Sequence, residues 1–101
     1  MKRKRNCRLI FKKKFQVQLE AMTRYLAALS PQAARNMHKT IFSNIQLLKE
    51  FPQMGKILDI EGLMEKRLLI AGKYLVLYIY VDNEIHIEMI LDEKQDYHNY
   101  M

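Results

Sequence analysis

Two runs of apolar residues spaced by threes and fours, with only Ser30 and Pro31 between them, restrict this chain more than any other feature. Phe15, Leu19, Met22, Leu26 and Leu29 fall on one face of an amphipathic helix, and Ala34, Met37, Ile41, Ile45 and Leu48 on one face of a second. Serine suits a helix N-cap and proline the first helical position, so the second helix starts where the first ends. It runs to about Glu50, and Pro52 with Gly55 stops it. Helices joined this tightly form an antiparallel hairpin, which needs another layer to cover its apolar stripe.

The rest of the chain supplies that layer with a period of two. Residues 7–11 read as a short first strand, ended by Lys12-Lys13-Lys14. Residues 53–63 read as a loop, 66–70 as a strand, 71–73 as a turn and 74–81 as a long strand; Asp82-Asn83 then turns the chain into a last strand over 84–91. The expected fold is α+β, in the order β-α-α-β-β-β: a two-helix antiparallel hairpin on one face of a mostly antiparallel four-stranded sheet, in one domain over 1–101. For the last hairpin a three-residue loop or a bulge is the preferred register. It collects Leu75, Leu77, Ile79, Val81, Ile85, Ile87, Met89 and Leu91 beneath the helices and leaves Tyr74, Tyr78, Tyr80 and His86 on a free face.

Charge narrows the class of partner. The net +6 conceals +10 in residues 1–50 and −4 in residues 51–101, and eight of the first fourteen residues are Lys or Arg. So basic a surface favours RNA, DNA, the ribosome or an acidic protein, and Lys12, Lys13 and Lys14 are the leading candidates for phosphate contacts. Tyr74 and Tyr78 are candidates to stack on bases or to line a groove for a partner helix, and His86 to bind phosphate when protonated. His38 reads as surface. Met22, Met37 and Met89 read as packing residues. The single cysteine, Cys7, has no partner for a disulfide, and no Cys/His spacing suits zinc. Neither a metal nor another cofactor is expected. With no apolar run long enough to span a membrane, the cytoplasm is the expected location.

Three segments carry a family resemblance. They are the helix stop Phe51-Pro52-Gln53-Met54-Gly55, the hairpin from Arg67 through Gly72-Lys73-Tyr74-Leu75-Val76-Leu77-Tyr78, and the closing Ile90-Leu91-Asp92-Glu93-Lys94-Gln95-Asp96-Tyr97. Together and in order they resemble the RelE/ParE superfamily of toxins from type II toxin–antitoxin systems, over nearly the whole chain. The resemblance implies a growth-inhibiting toxin, a plasmid- or chromosome-stabilising role, and an acidic, helix-rich antitoxin as partner.

It also implies one of three modes of action. Ribosome-dependent members cut messenger RNA without a metal, using a base on the 2′-hydroxyl, an acid on the leaving 5′-oxygen and cations around the phosphate. ParE-like members poison DNA gyrase without chemistry of their own, and a degenerate member acts only in a DNA-binding complex with its antitoxin. Where RelE-like toxins carry a lysine before the hairpin, this chain has Arg67; where they carry an arginine at the start of the central strand, it has Tyr74. Lys94 stands where they have an arginine after the last strand, and Tyr100 matches their tail tyrosine. The catalytic set so implied is Arg67, Lys94 and Tyr100, with His98 as a further tail acid or base. The Gly-x-Tyr-Leu-Val-x-Tyr run looks closer to ParE.

Overall fold

A computed structural model describes residues 6–93. Strand β1 (Arg8–Phe11) leads into helices α1 (Lys13–Leu29) and α2 (Pro31–Leu47), followed by β2 (Lys56–Glu61), β3 (Met64–Ala71), β4 (Tyr74–Val81) and β5 (Glu84–Asp92). The sheet order is β1-β5-β4-β3-β2, with β1 parallel to β5 and every other pairing antiparallel. The α+β layering matches the sequence reading, but the sheet has five strands: β2 occupies the stretch expected to be a loop.

The helix junction follows its local chemistry. Ser30 caps α2, its hydroxyl accepting from the Ala33 N–H at 3.2 Å, and Pro31 fills the first helical position, where its missing N–H costs nothing. The whole α2 stripe is buried, with Ile41, Ile45 and Leu48 at zero exposure. Each such side chain contributes about 1.5–3 kcal/mol by leaving water. The α1 stripe is buried at Phe15 and Leu19 and partly so at Met22 and Leu26, whereas Leu29, the last residue of α1, is exposed. His38, expected on the surface, instead ties the two helices together. Thr23 donates its hydroxyl hydrogen to Leu19 O at 2.7 Å, so it accepts from His38 Nε2, also at 2.7 Å, which fixes the proton of that ring on Nε2.

The last hairpin departs from the expected register. Asp82 and Asn83 both take positive φ, 51° and 62°, forming a two-residue turn that pairs Val81 with Glu84 and Tyr78 with Ile87. A bulge at Glu88 then resets the pairing to Leu77 with Met89. The faces are therefore exchanged. Tyr74, Val76, Tyr78, Ile85, Ile87 and Ile90 join Leu69 beneath the helices, while Leu75, Leu77, Met89 and Leu91 form a second cluster with Leu68 on the opposite face. Both faces are apolar, and the expectation that Leu77 and Met89 face the helices is overturned.

Candidate functional site

The stop after α2 is held by a buried polar latch. Tyr78, fully buried beneath the helices, donates its hydroxyl to Pro52 O at 2.8 Å and accepts from the Gly55 N–H at 3.0 Å. Burial pushes its phenol up from the ordinary value, against the help of the Gly55 hydrogen bond. Arg67, 7% exposed, donates from Nη1 to Gln53 O (2.8 Å) and Gly55 O (2.7 Å), and from Nε to Glu65 at 2.8 Å. The hydrogen bond from Arg67 holds the Glu65 carboxyl below its ordinary value. Gln53 adds a further hydrogen bond to the same carboxylate. Gly55 is required by closeness, since an added Cβ would lie 2.6 Å from Tyr78 Oη and 2.9 Å from Leu68 O.

The latch engages two of the expected site residues, Arg67 and Tyr78, and a third, Tyr74, is buried as well. Arg67 has the parity of Leu69 on β3, so its guanidinium points to the helix side and into backbone carbonyls, where it orders a loop. Tyr78 has no exposed ring face to offer a base, and Tyr74, also buried, packs in the same core. Their placement under the helices corrects the reading that set them on a free face. The sequence carried the signal in its alternation, but the phase of the hairpin hid it.

A different group gathers on the opposite face. A cavity of about 390 Å³ is lined by Lys12, Lys13, Lys14, Lys66, Leu77, Ile79, Glu88 and Met89. The lysine run reaches it because β1 lies beside β5: Lys12 N–H donates to Ile87 O at 3.0 Å, which sets the start of α1 against the sheet. Lys66 arrives from β3, and Glu88 is the residue that the β5 bulge projects. The result is an apolar floor bordered by four lysines and one glutamate, residues suited to hold an anionic group by charge and a flat apolar one by contact. Sequence reasoning had singled out Lys12, Lys13 and Lys14 but neither Lys66 nor Glu88. A lysine next to an arginine in an apolar strand and a glutamate in an otherwise apolar run were the available signals.

His86 lies on the same side of the sheet as the cavity, but its Nε2 is 3.1 Å from Glu84 Oε1, and Glu84 also bonds Arg8. Lys94, His98 and Tyr100 lie outside the described residues. Cys7 is a free, buried thiol whose Sγ donates to Asn83 Oδ1 at 3.3 Å, and burial pushes its pKa up. Among the described residues no group of three His, Cys, Asp or Glu is gathered as metal ligands, and no helix is long and apolar enough to cross a membrane.

The fold has counterparts among solved structures. The chain is similar to one from the chromosomal ParDE toxin–antitoxin system of P. aeruginosa, at 17% identity and a TM-score of 0.66, over 85% of this chain and 95% of that one. It is equally similar to one from the archaeal RelE–RelB complex of Pyrococcus horikoshii OT3, at 16% identity and a TM-score of 0.67, over 90% of this chain and 99% of that one. At such identities these likenesses show the fold alone. No curated protein matches the chain. The family model described as the ParE toxin of the type II toxin–antitoxin system parDE matches residues 9–97, so the chain belongs to that family of toxins.

Proposed function

We propose that this toxin arrests growth by gripping its target, in the manner of a ParE-like gyrase poison, and that an adjacent antitoxin masks it. The observation that carries the reading is the latch. Arg67, the described member of the RelE-like catalytic set, spends Nε and both Nη1 hydrogens on Glu65 and two backbone carbonyls. Taking it away to stabilise a phosphate would unpair those groups at about 1–3 kcal/mol each. Tyr74, standing where RelE-like toxins have an arginine, is buried. The ParE family match and the apolar floor of the lysine cavity support the same reading.

Messenger RNA cleavage is the second reading, favoured by one observation: Lys12, Lys13, Lys14 and Lys66 around a single cavity suit a phosphate backbone. In that reading Lys94, His98 and Tyr100 supply charge and proton transfer, with Glu88 as an additional carboxylate at hand. A third reading, an inactive toxin kept in a DNA-binding complex with its antitoxin, has no comparable observation behind it.

Induction of the chain alone, with mapping of RNA 5′ ends and with translation and DNA-damage reporters, separates the three. Growth arrest with a damage response and intact messages is the expected result, and co-expression of the neighbouring antitoxin restores growth. New codon-phased ends that disappear on combining His98→Ala with Tyr100→Phe establish the nuclease. Unchanged growth with soluble protein leaves the inactive form.

A further inference from the structure

Strand β2 (Lys56–Glu61) forms the outer edge of the sheet, and no described strand pairs with its far side. Five of its six residues are exposed, including Ile57 at 45% and Ile60 at 52%. Natural edges are commonly guarded by charges and by bulges, and this one carries both. Their arrangement, however, is self-complementary.

The pairing with β3 sets Lys56 opposite Leu68, Ile57 opposite Arg67, Asp59 opposite Lys66, Ile60 opposite Glu65 and Glu61 opposite Met64, with the irregularity at Leu58. Ile57 and Ile60 therefore lie on the helix side. Lys56, Asp59 and Glu61 lie on the other side, as does Leu58, which packs against the second apolar cluster. The bulge makes this order of faces read the same from either end. In a regular strand, residues an odd number apart face opposite sides, so Ile57 could not sit opposite Ile60 of an antiparallel copy.

We propose that β2 pairs antiparallel with β2 of a second copy of this chain, about a two-fold axis between Leu58 and Asp59. Each Lys56 then lies opposite the second copy's Glu61, and each Ile57 opposite the second copy's Ile60. Opposite charges and branched apolar side chains are the cross-strand pairs that stabilise sheets. The interface is isologous, as two-fold symmetry requires. A six-residue strand spans roughly 20 Å. The contact is accordingly small, and the dimer is weak and reversible, with a Kd on the order of 10 µM to 1 mM. This pairing is independent of the toxin's target.

Sedimentation velocity of the purified chain across that concentration range tests it, with hydrogen exchange at the β2 amides as a second readout. The expected result is a concentration-dependent dimer, with protection of residues 56–61 rising in parallel. Lys56→Glu and Glu61→Lys, both at exposed positions, each weaken association by about tenfold at low salt, as like charges directly opposite do. Combining them restores it, since the charges are then exchanged in both copies. A chain that stays monomeric throughout overturns the proposal, even where a different protein protects β2. So does a dimer whose Kd neither single substitution moves.

Discussion

Replacing Tyr78 by Phe keeps the ring and removes one oxygen, which makes it a clean probe of the latch. That oxygen serves two groups: it donates to Pro52 O at 2.8 Å and accepts from the Gly55 N–H at 3.0 Å. Gly55 and Tyr78 are both buried, so water does not readily take its place. Two neutral hydrogen bonds contribute about 1 kcal/mol each, and a buried N–H left without an acceptor costs about 1–3 kcal/mol. These overlap, giving an expected loss of about 2–4 kcal/mol. Urea unfolding followed by circular dichroism measures it as a lower midpoint at unchanged slope. A loss below about 0.5 kcal/mol would mean that the hydroxyl is not an organising bond of the loop, and the argument for the latch would fail with it.

Three other consequences are open to measurement. Gly55→Ala destabilises by about 1–3 kcal/mol through overpacking, and Tyr78→Phe does not relieve it, because Tyr78 Cε1 at 2.7 Å and Leu68 O at 2.9 Å remain in the way; full rescue in the double variant would show that only the hydroxyl conflicts. Glu65 has a folded pKa below its ordinary 4.5, so its share of stability is present above that value and is lost as pH falls through the lower folded one. Glu65→Gln flattens the acid limb of a stability–pH curve, and an unchanged limb refutes the ion pair's role. Lys13→Glu, in the first turn of α1, stabilises the chain by about 1 kcal/mol as the helix dipole predicts, while weakening growth arrest; loss of both stability and toxicity would make Lys13 a structural residue.

The helices were legible because their stripes repeat over four turns each and Ser30-Pro31 marks the join in chemical terms. Strand β2 was not, since its bulge places apolar residues at 57, 58 and 60, a spacing that fits neither a strand nor a helix. The last hairpin failed for a related reason. The sequence reading sought one dry face and one polar face, whereas the two-residue turn puts Ile85 and Ile87 on a side with the tyrosines, and the bulge at Glu88 then brings Ile90 to that side and sends Met89 and Leu91 to the other. Arg67 entered the expected site through the family resemblance, by its position before the hairpin, and only its strand parity shows that its guanidinium reaches the loop carbonyls. Lys12, Lys13 and Lys14 were placed correctly at a helix start, but their meeting with Lys66 depends on β1 lying beside β5, a long-range pairing that no local pattern contains.

The two arginine-lysine neighbours on β3 show how one strand divides its labour. Arg67 faces the helices: its charge is offset by Glu65, and its donors fill the carbonyls of Gln53 and Gly55 in the loop between α2 and β2. Lys66, one residue earlier, faces the opposite side and meets the lysines of α1. Cations at the start of a helix oppose its dipole, and α1 has no acidic residue in its first turn and no side-chain cap to offset them. The lysines at the start of α1 therefore cost the isolated fold some stability. Glu88, a carboxylate of the same cavity, offsets part of that cost, and an anionic partner would offset more. A surface whose cost to the free chain an anionic partner would reduce is the one on which the proposed binding, by target or by antitoxin, is to be tested. Arg67, whose arrangement stabilises the chain with no partner present, has its explanation within the fold.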